Sequence, residues 1–199
     1  MFSIKGEQRM ALTGSRTEKN LLAAFAGESQ AHMRYIFFAG VARKEGYEQI
    51  GSIFLETAEN EKEHAKLFFR QLEGGDAVLQ AGYPAGIIGT TAGNLRAAAE
   101  GEKIEWGSIY PNFAEIAKEE GFFKAEETFR KVALVEVSHE KRYRKLLAHF
   151  EQSRIFKREA RVFWKCRNCG YVVEGDEAPD PCPVCDHPVA YYEILCENY

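Results

Sequence analysis

The sequence has little proline and no long apolar run. Of its 199 residues only six are proline, and only Pro84 and Pro111 lie between residues 17 and 152. No stretch approaches the roughly 20 consecutive apolar residues that cross a bilayer, and the first 20 residues lack the apolar core of a signal peptide. We therefore expect a cytoplasmic protein without a membrane segment.

The sequence also lacks a large excess of either charge. Lys and Arg number 26 and Asp and Glu number 30, which gives a formal net charge of -4, and 45% of the residues are hydrophobic. Nucleic-acid-binding proteins usually carry a basic patch, and disordered tails carry blocks of like charge. The composition therefore predicts a globular protein that does not bind nucleic acid, with one domain or two modest ones.

Cysteine is absent before Cys166, and all five cysteines lie between it and Cys196. This distribution excludes disulfides that staple the whole chain. Residues 166–185 read CRNCGYVVEGDEAPDPCPVC, two Cys-x-x-Cys pairs separated by twelve residues. Four thiolates on two tight turns form a tetrahedral site for zinc or iron, and the spacing alone slightly favours zinc. The predicted ligands are Cys166, Cys169, Cys182 and Cys185, and Cys196 is predicted to be a free thiol.

Apolar residues with helical spacing extend from about residue 17 to residue 152. Breaks at Gly46, at residues 74–93 and at Gly121 divide this region into four segments of about 25 residues. The two short breaks predict antiparallel hairpins, and the long Gly-rich break predicts a crossover along the bundle. The fold is therefore expected to be mainly α, a ferritin-like four-helix bundle over 1–150, followed by a linker over 151–164 and a small metal-bound β/knuckle domain over 165–199.

The two halves of the helical region repeat each other. NLLAAFAGE (20–28) recurs 74 positions later as NLRAAAEGE (94–102). Farther along, the offset is 75, since Glu45 and the glycine after it recur as Glu120 and a glycine. One extra residue must therefore lie in the third segment, and we expect a π-bulge or a distortion near Pro111.

The repeat also carries carboxylates and imidazoles in matching positions. Two segments contain a Glu-x-x-His pair, whose members share one helix face, and the other two segments contain one glutamate each. This set is typical of carboxylate-bridged two-metal sites in helical bundles. Its members are Glu28, Glu61, His64, Glu102, Glu136 and His139. A duplicated bundle with surface charges is the alternative, but a lone carboxylate in the apolar stretch around Glu28 would be costly to bury. Mixed oxygen and nitrogen ligands favour iron or manganese, although they do not exclude zinc, and we expect two irons.

Three further residues extend this candidate site. Glu105 lies one turn after Glu102, where the first half has Ala31, and is a seventh candidate ligand. Tyr35 and Tyr110 follow the two single glutamates at similar spacings, so their hydroxyls could hydrogen-bond to the carboxylates. Ordinary core tyrosines are the alternative.

These residues lie in motifs that resemble the rubrerythrin family over residues 14–195. The motifs are GSRTEKNLLAAFAGESQA, ETAENEKEHA, EGEKIEW, the YP at Tyr110, EVSHEKR, and CRNCGYVVEG with CPVCDHP. The resemblance implies two irons, bridged by an oxo group and by Glu61 and Glu136, and a single iron in a rubredoxin-like C-terminal domain. It further implies that His64 replaces Glu105 on one iron when the centre is reduced.

The same resemblance implies an activity and partners. The expected function is reduction of hydrogen peroxide to water in oxidative-stress defence, with electron transport through the sulfur-bound iron. A rubredoxin or an NADH-dependent flavoprotein would donate the electrons, which makes the peroxidase indirectly NADH-linked. A head-to-tail homodimer is expected. The alternatives are a ferroxidase or iron-handling ferritin-like protein, and a zinc-ribbon binding module on a structural bundle.

Overall fold

The computed structural model describes residues 11–197. The expectation that the chain has no signal peptide depends partly on residues 1–10. The first and last predicted domains extend to residues 1 and 199, respectively. Those outermost residues lie outside the described part of the chain. No helix within the described part is both long enough and apolar enough to span a membrane.

Four helical rods form the main body of the molecule. The helices are α1 (Arg16–Lys44), α2 (Glu48–Phe69), α3 (Thr91–Ile104), α4 (Tyr110–Glu119) and α5 (Phe123–Glu151). A π-helical turn, Glu105–Ile109, joins α3 to α4 as one rod. Helix α1 packs along α2, and the α3–α4 rod packs along α5. Between α2 and α3 the chain has no helix or strand and runs beside α1, where the Tyr83 hydroxyl donates a hydrogen bond to the carbonyl of Ala23 (3.0 Å). The predicted ferritin-like bundle with a long crossover is confirmed.

The π-helical turn explains why the repeat offset changes within the third rod. A π-turn adds one residue to a helix without ending it. It lies immediately before α4, whose first turn contains Pro111, a residue without a backbone N–H. Within the turn, the Ser108 hydroxyl donates to the carbonyl of Ile104 (2.8 Å). The expected π-bulge is therefore confirmed.

The two hairpins cap each other's first helix. Glu120, after α4, accepts hydrogen bonds from the backbone N–H (2.8 Å) and the hydroxyl (2.7 Å) of Thr17 in α1. Glu45, after α1, accepts one from the backbone N–H of Thr91 in α3 (2.9 Å). Carboxylates are favoured there because the N-terminal N–H groups of a helix lack partners and carry partial positive charge. The repeated Glu-Gly sequence thus ties the two halves together.

The apolar core of the bundle has two parts. One contains Phe38 and Phe54, and the other contains Phe68 and Phe129. Along each rod, the segment with the candidate metal ligands falls between residues of the two parts. A polar layer is therefore enclosed by apolar residues near the middle of the bundle.

The C-terminal region forms a three-stranded antiparallel sheet in the order β2-β1-β3. The strands are β1 (Lys157–Cys166), β2 (Val172–Glu177) and β3 (Tyr192–Ile194). Strand β1 begins within the predicted linker, residues 151–164. Its residues Val162 and Trp164, the latter fully buried, pack in the small core of this sheet. The region contacts the bundle near α2, where the Arg167 guanidinium donates to the Ser52 hydroxyl (2.8 Å).

Candidate metal centres

Four glutamates, one from each rod, are buried in the middle of the bundle. Glu28, Glu61, Glu102 and Glu136 are each at most 1% exposed. Among the described residues, their ion-pair partners are the imidazoles of the two Glu-x-x-His pairs. Burying carboxylates without compensating charge costs several kcal/mol each, so such a cluster requires cations or protons.

The ligand atoms fall into two overlapping groups. In each group, one oxygen or nitrogen atom from every member lies within 4.8 Å of the others. Each group contains three carboxylates and one imidazole, and the internal repeat relates one group to the other. The first group is Glu28, Glu61, His64 and Glu136, and the second is Glu61, Glu102, Glu136 and His139.

The two shared carboxylates divide their oxygens between the groups. Glu61 places Oε2 2.9 Å from Nδ1 of His64 and Oε1 3.2 Å from Nδ1 of His139. Glu136 places Oε1 2.9 Å from Nδ1 of His64 and Oε2 2.7 Å from Nδ1 of His139. This arrangement allows both carboxylates to bridge two cations, one cation in each group.

The buried oxygens of the cluster fit the requirements of metal ions. Within residues 11–197, Oε2 of Glu28, Oε1 of Glu61, Oε2 of Glu102 and both oxygens of Glu136 have no hydrogen-bond donor. An unsatisfied buried acceptor is costly, and a cation satisfies several acceptors at once. Sites that combine carboxylates and imidazoles suit iron. The bundle site therefore fits a di-iron centre.

Protons occupy part of this cluster when no metal is present. Burial, followed by the charge of Glu61, raises the pKa of both Glu28 and Glu102 well above the usual range. Burial opposes the charge on His64, but the carboxylates of Glu136 and Glu61 beside its ring raise the pKa of His64 to about 9. Metal binding must displace these protons.

Two buried tyrosines hydrogen-bond to carboxylates across the repeat. The Tyr35 hydroxyl donates to Oε1 of Glu102, and the Tyr110 hydroxyl donates to Oε1 of Glu28. Burial and the charge of the neighbouring glutamate raise the pKa of each tyrosine, so both hydroxyls keep their protons. They can therefore orient the two single glutamates.

Glu105 belongs to neither group of ligand atoms. It begins the π-helical turn and is half-buried, and it lines a cavity together with Arg34. Burial, followed by the charge of Glu102, raises the pKa of Glu105. The next residue, Trp106, donates its indole N–H to Oε2 of Glu140 in α5 (2.8 Å), which fixes the turn against that helix. The structure thus includes His64 in one ligand group and places Glu105 in neither.

Two residues near the cluster were not predicted from the sequence. The side-chain oxygen of Asn60 lies 3.3 Å from Nε2 of His139, which orients that ring. Tyr143 is fully buried against Tyr35, with ring centroids 5.5 Å apart. In the repeat, Tyr143 corresponds to Phe68. The replacement of phenylalanine by tyrosine at equivalent positions is the feature of the sequence that could have indicated a polar neighbour for Tyr143.

The four C-terminal cysteines also converge. One Sγ atom from each lies within 4.8 Å of the others. The backbone N–H of Gly170 donates to the carbonyl of Cys166 (2.9 Å), and that of Asp186 donates to the carbonyl of Cys182 (3.0 Å), so each Cys-x-x-Cys pair forms a tight turn. A tetrahedral four-sulfur site accepts iron or zinc. Cys196 is exposed and lies outside this group.

Comparison with known proteins identifies the family of both regions. The Rubrerythrin family model matches residues 19–147, and the model of the rubredoxin-like domain of rubrerythrin matches residues 164–193. Rubrerythrin of Porphyromonas gingivalis is 58% identical over 195 residues, covering 98% of each chain. Rubrerythrin of Nitratidesulfovibrio vulgaris is 51% identical over 189 residues, covering 95% of this chain and 99% of the relative. A solved structure of nigerythrin in a mixed-valence state superposes with a TM-score of 0.60 at 30% identity, covering 98% of this chain and 97% of the other. The chain therefore belongs to the rubrerythrin family, and its two sites fit a di-iron centre in the bundle and one rubredoxin-like iron at the four cysteines.

Proposed function

We propose that this protein is a peroxidase that reduces hydrogen peroxide to water with electrons relayed through the C-terminal iron. The observation that carries this proposal is the pair of overlapping ligand groups in the same chain as a four-thiolate site. A storage shell needs no second redox site, whereas a reductase needs a way for electrons to enter. Family membership also favours a role in oxidative-stress defence.

We assign the six residues of the two groups, together with Glu105, as ligands of the di-iron centre. When bound, the two irons supply two electrons for cleavage of the O–O bond. Glu61 and Glu136 would hold the metals at a fixed spacing, because each offers one oxygen to each group. Tyr35 and Tyr110 would keep the two single glutamates oriented through their hydrogen bonds.

We assign Glu105 and His64 as alternating ligands of one metal. His64 lies 2.9 Å from each shared carboxylate, whereas Glu105 lies in the π-helical turn outside the ligand groups. A π-turn in a helix is frequently found at functional sites. Movement of this turn would carry Glu105 toward or away from the metal.

Family membership also favours a head-to-tail homodimer. In one chain, the C-terminal region contacts α2 at Ser52. Glu61 is nine residues farther along that helix, about 13 Å at 1.5 Å per residue. In such a dimer, the four cysteines of one chain would lie near the carboxylate cluster of the other. A rubredoxin or an NADH-dependent flavoprotein would reduce the cysteine-bound iron, in a reducing compartment such as the cytoplasm.

The test is an anaerobic titration with metal counting on the same sample. Fully reduced protein with three irons per chain should be oxidised by hydrogen peroxide, with water as the product, faster than by dioxygen. Faster oxidation by dioxygen together with a large assembly would instead identify a ferroxidase. A colourless protein that holds only zinc would identify a zinc-ribbon module, because ferric thiolate absorbs visible light and zinc thiolate does not.

A further inference from the structure

A cavity of about 670 Å³ opens beside the metal cluster. It lies between α1, the crossover and the π-helical turn. Its walls are mainly apolar and include Ala24, Pro84, Ile104, Ile109 and Phe113. Glu105 and Tyr110 also line it, and the Tyr110 hydroxyl donates to Glu28. The cavity therefore connects solvent with residues at the candidate di-iron centre.

The cavity is larger and more apolar than the binding of hydrogen peroxide requires. One water molecule takes up about 30 Å³ of liquid volume, and hydrogen peroxide is only slightly larger. A small polar molecule also gains little from apolar walls, whereas an alkyl or aryl group gains free energy in proportion to the apolar area that it buries. The cavity is thus suited to a larger molecule with an apolar part.

We propose that the cavity admits organic hydroperoxides, ROOH, with the apolar group R against its walls and the O–O group directed toward Glu105. This inference rests on the proposed peroxidase function and extends its substrate class. The O–O bond breaks, and ROOH takes up two electrons and two protons to give the alcohol ROH and one water molecule. The electrons come from the reduced iron sites and the protons come from solvent.

Arg34 supplies a hydrogen-bond donor in this otherwise mainly apolar space. It lines the cavity beside Glu105, and its Nε–H is buried without an acceptor among residues 11–197. A buried donor without a partner is costly, and an oxygen of a bound hydroperoxide would satisfy it. Arg34 therefore acts as a positioning residue that orients the O–O group of the substrate.

Two glycines allow the cavity to be narrowed without a clash. A Cβ atom built at Gly101 or at Gly82 has no heavy atom of another residue within 4 Å, and both glycines line the cavity from different sides. Gly101→Leu and Gly82→Leu therefore extend a side chain into open space. Gly40 in α1 offers a matched control: its Cβ would also meet open space, and it does not line the cavity.

The experiment compares cumene hydroperoxide with hydrogen peroxide as oxidants of the reduced holoprotein and its variants. We expect Gly101→Leu and Gly82→Leu to lower the ratio of kcat/KM for cumene hydroperoxide to kcat/KM for hydrogen peroxide by about tenfold or more. The added leucine side chain would occupy the space that the cumyl group needs. Gly40→Leu should leave that ratio unchanged. The second cavity variant guards against misfolding of the first.

A binding measurement tests the cavity independently of turnover. The product 2-phenyl-2-propanol should bind to the oxidised holoprotein in calorimetric titrations. It should bind more weakly to the two cavity variants and with unchanged affinity to Gly40→Leu. Reduction of hydrogen peroxide without reduction of cumene hydroperoxide, or equal ratios and affinities in all variants, would overturn the substrate inference alone. Failure with both peroxides would overturn the proposed function and this inference with it.

Discussion

Tyr35 hydrogen-bonds to Glu102, which lies on another rod and in the other half of the repeat. The second tyrosine does the same in the opposite direction, since Tyr110 donates to Glu28. Each half therefore supplies the hydroxyl that orients the single glutamate of the other half. The exchange of Glu45 and Glu120 as helix caps follows the same rule. Neither half has a complete candidate site by itself.

Removing the Tyr35 hydroxyl should destabilise the metal-free protein. In Tyr35→Phe, Oε1 of Glu102 loses its donor within a fully enclosed site, and the expected loss is about 1 to 3 kcal/mol of unfolding free energy. Urea denaturation of wild-type and variant protein after iron removal measures this difference.

Tyr143→Phe is the matched control for that substitution. Tyr143 is equally buried and contacts Tyr35, but its hydroxyl has no hydrogen-bond partner among the described residues. Its removal should be neutral or slightly stabilising, and the equivalent position in the first half is already Phe68. Equal destabilisation by both substitutions would mean that the hydrogen bond to Glu102 contributes nothing of its own.

The ligand types and the fold could be predicted because both depend on spacing along single helices. Glu61 and His64 share a helix face in any straight helix. A change of offset in the repeat likewise requires one inserted residue, however the rods are arranged in space. The partner of Tyr35 could not be predicted, because it depends on how one rod is placed beside another. Likewise, the space next to Arg34 depends on the path of a crossover that has no regular periodicity.

Glu120→Gln should lower the stability of the protein at neutral pH and make that stability less dependent on pH in the acidic range. Burial opposes the charge of Glu120, but hydrogen bonds from Thr17 and Arg16 outweigh this effect and lower the pKa of the carboxyl group. The folded-state pKa is thus below the unfolded value, which is about 4.3 for glutamate. The stabilisation is present above the unfolded pKa and is lost as pH falls through the folded pKa.

Thermal melts between pH 3 and pH 7 measure this contribution. At neutral pH, Glu120→Gln should melt a few degrees lower than the wild type, and the two curves should converge in acid. Glu119→Gln is the control, because Glu119 is 63% exposed and its ion pair with Arg16 lies at the surface. The role of Glu120 in tying the halves together would be refuted by parallel melting curves at every pH.

Iron binding to the metal-free protein should release protons and weaken as pH falls. Raised pKa values keep Glu28 and Glu102 protonated, and the pKa of His64 is raised to about 9. Each of these groups must lose its proton before it can bind a cation. Ferrous titration in weakly buffered anaerobic solution should therefore acidify the sample, and calorimetry should give lower affinity at pH 6 than at pH 8. Metal binding without proton uptake or release would place the metal elsewhere.

Glu105→Ala should separate folding and metal binding from turnover. The side chain is half-buried and lies outside both ligand groups, so the variant should fold and retain two irons in the bundle. Rapid mixing of the reduced variant with hydrogen peroxide should nevertheless give slower oxidation, because the oxidised centre would lack its alternative ligand. Asn112→Ala provides a control, since Asn112 lines the same cavity without belonging to the ligand set. If oxidation of Glu105→Ala proceeds at the wild-type rate, with unchanged visible spectra in both redox states, then Glu105 does not exchange with His64, and the π-helical turn that carries it has a purely structural role.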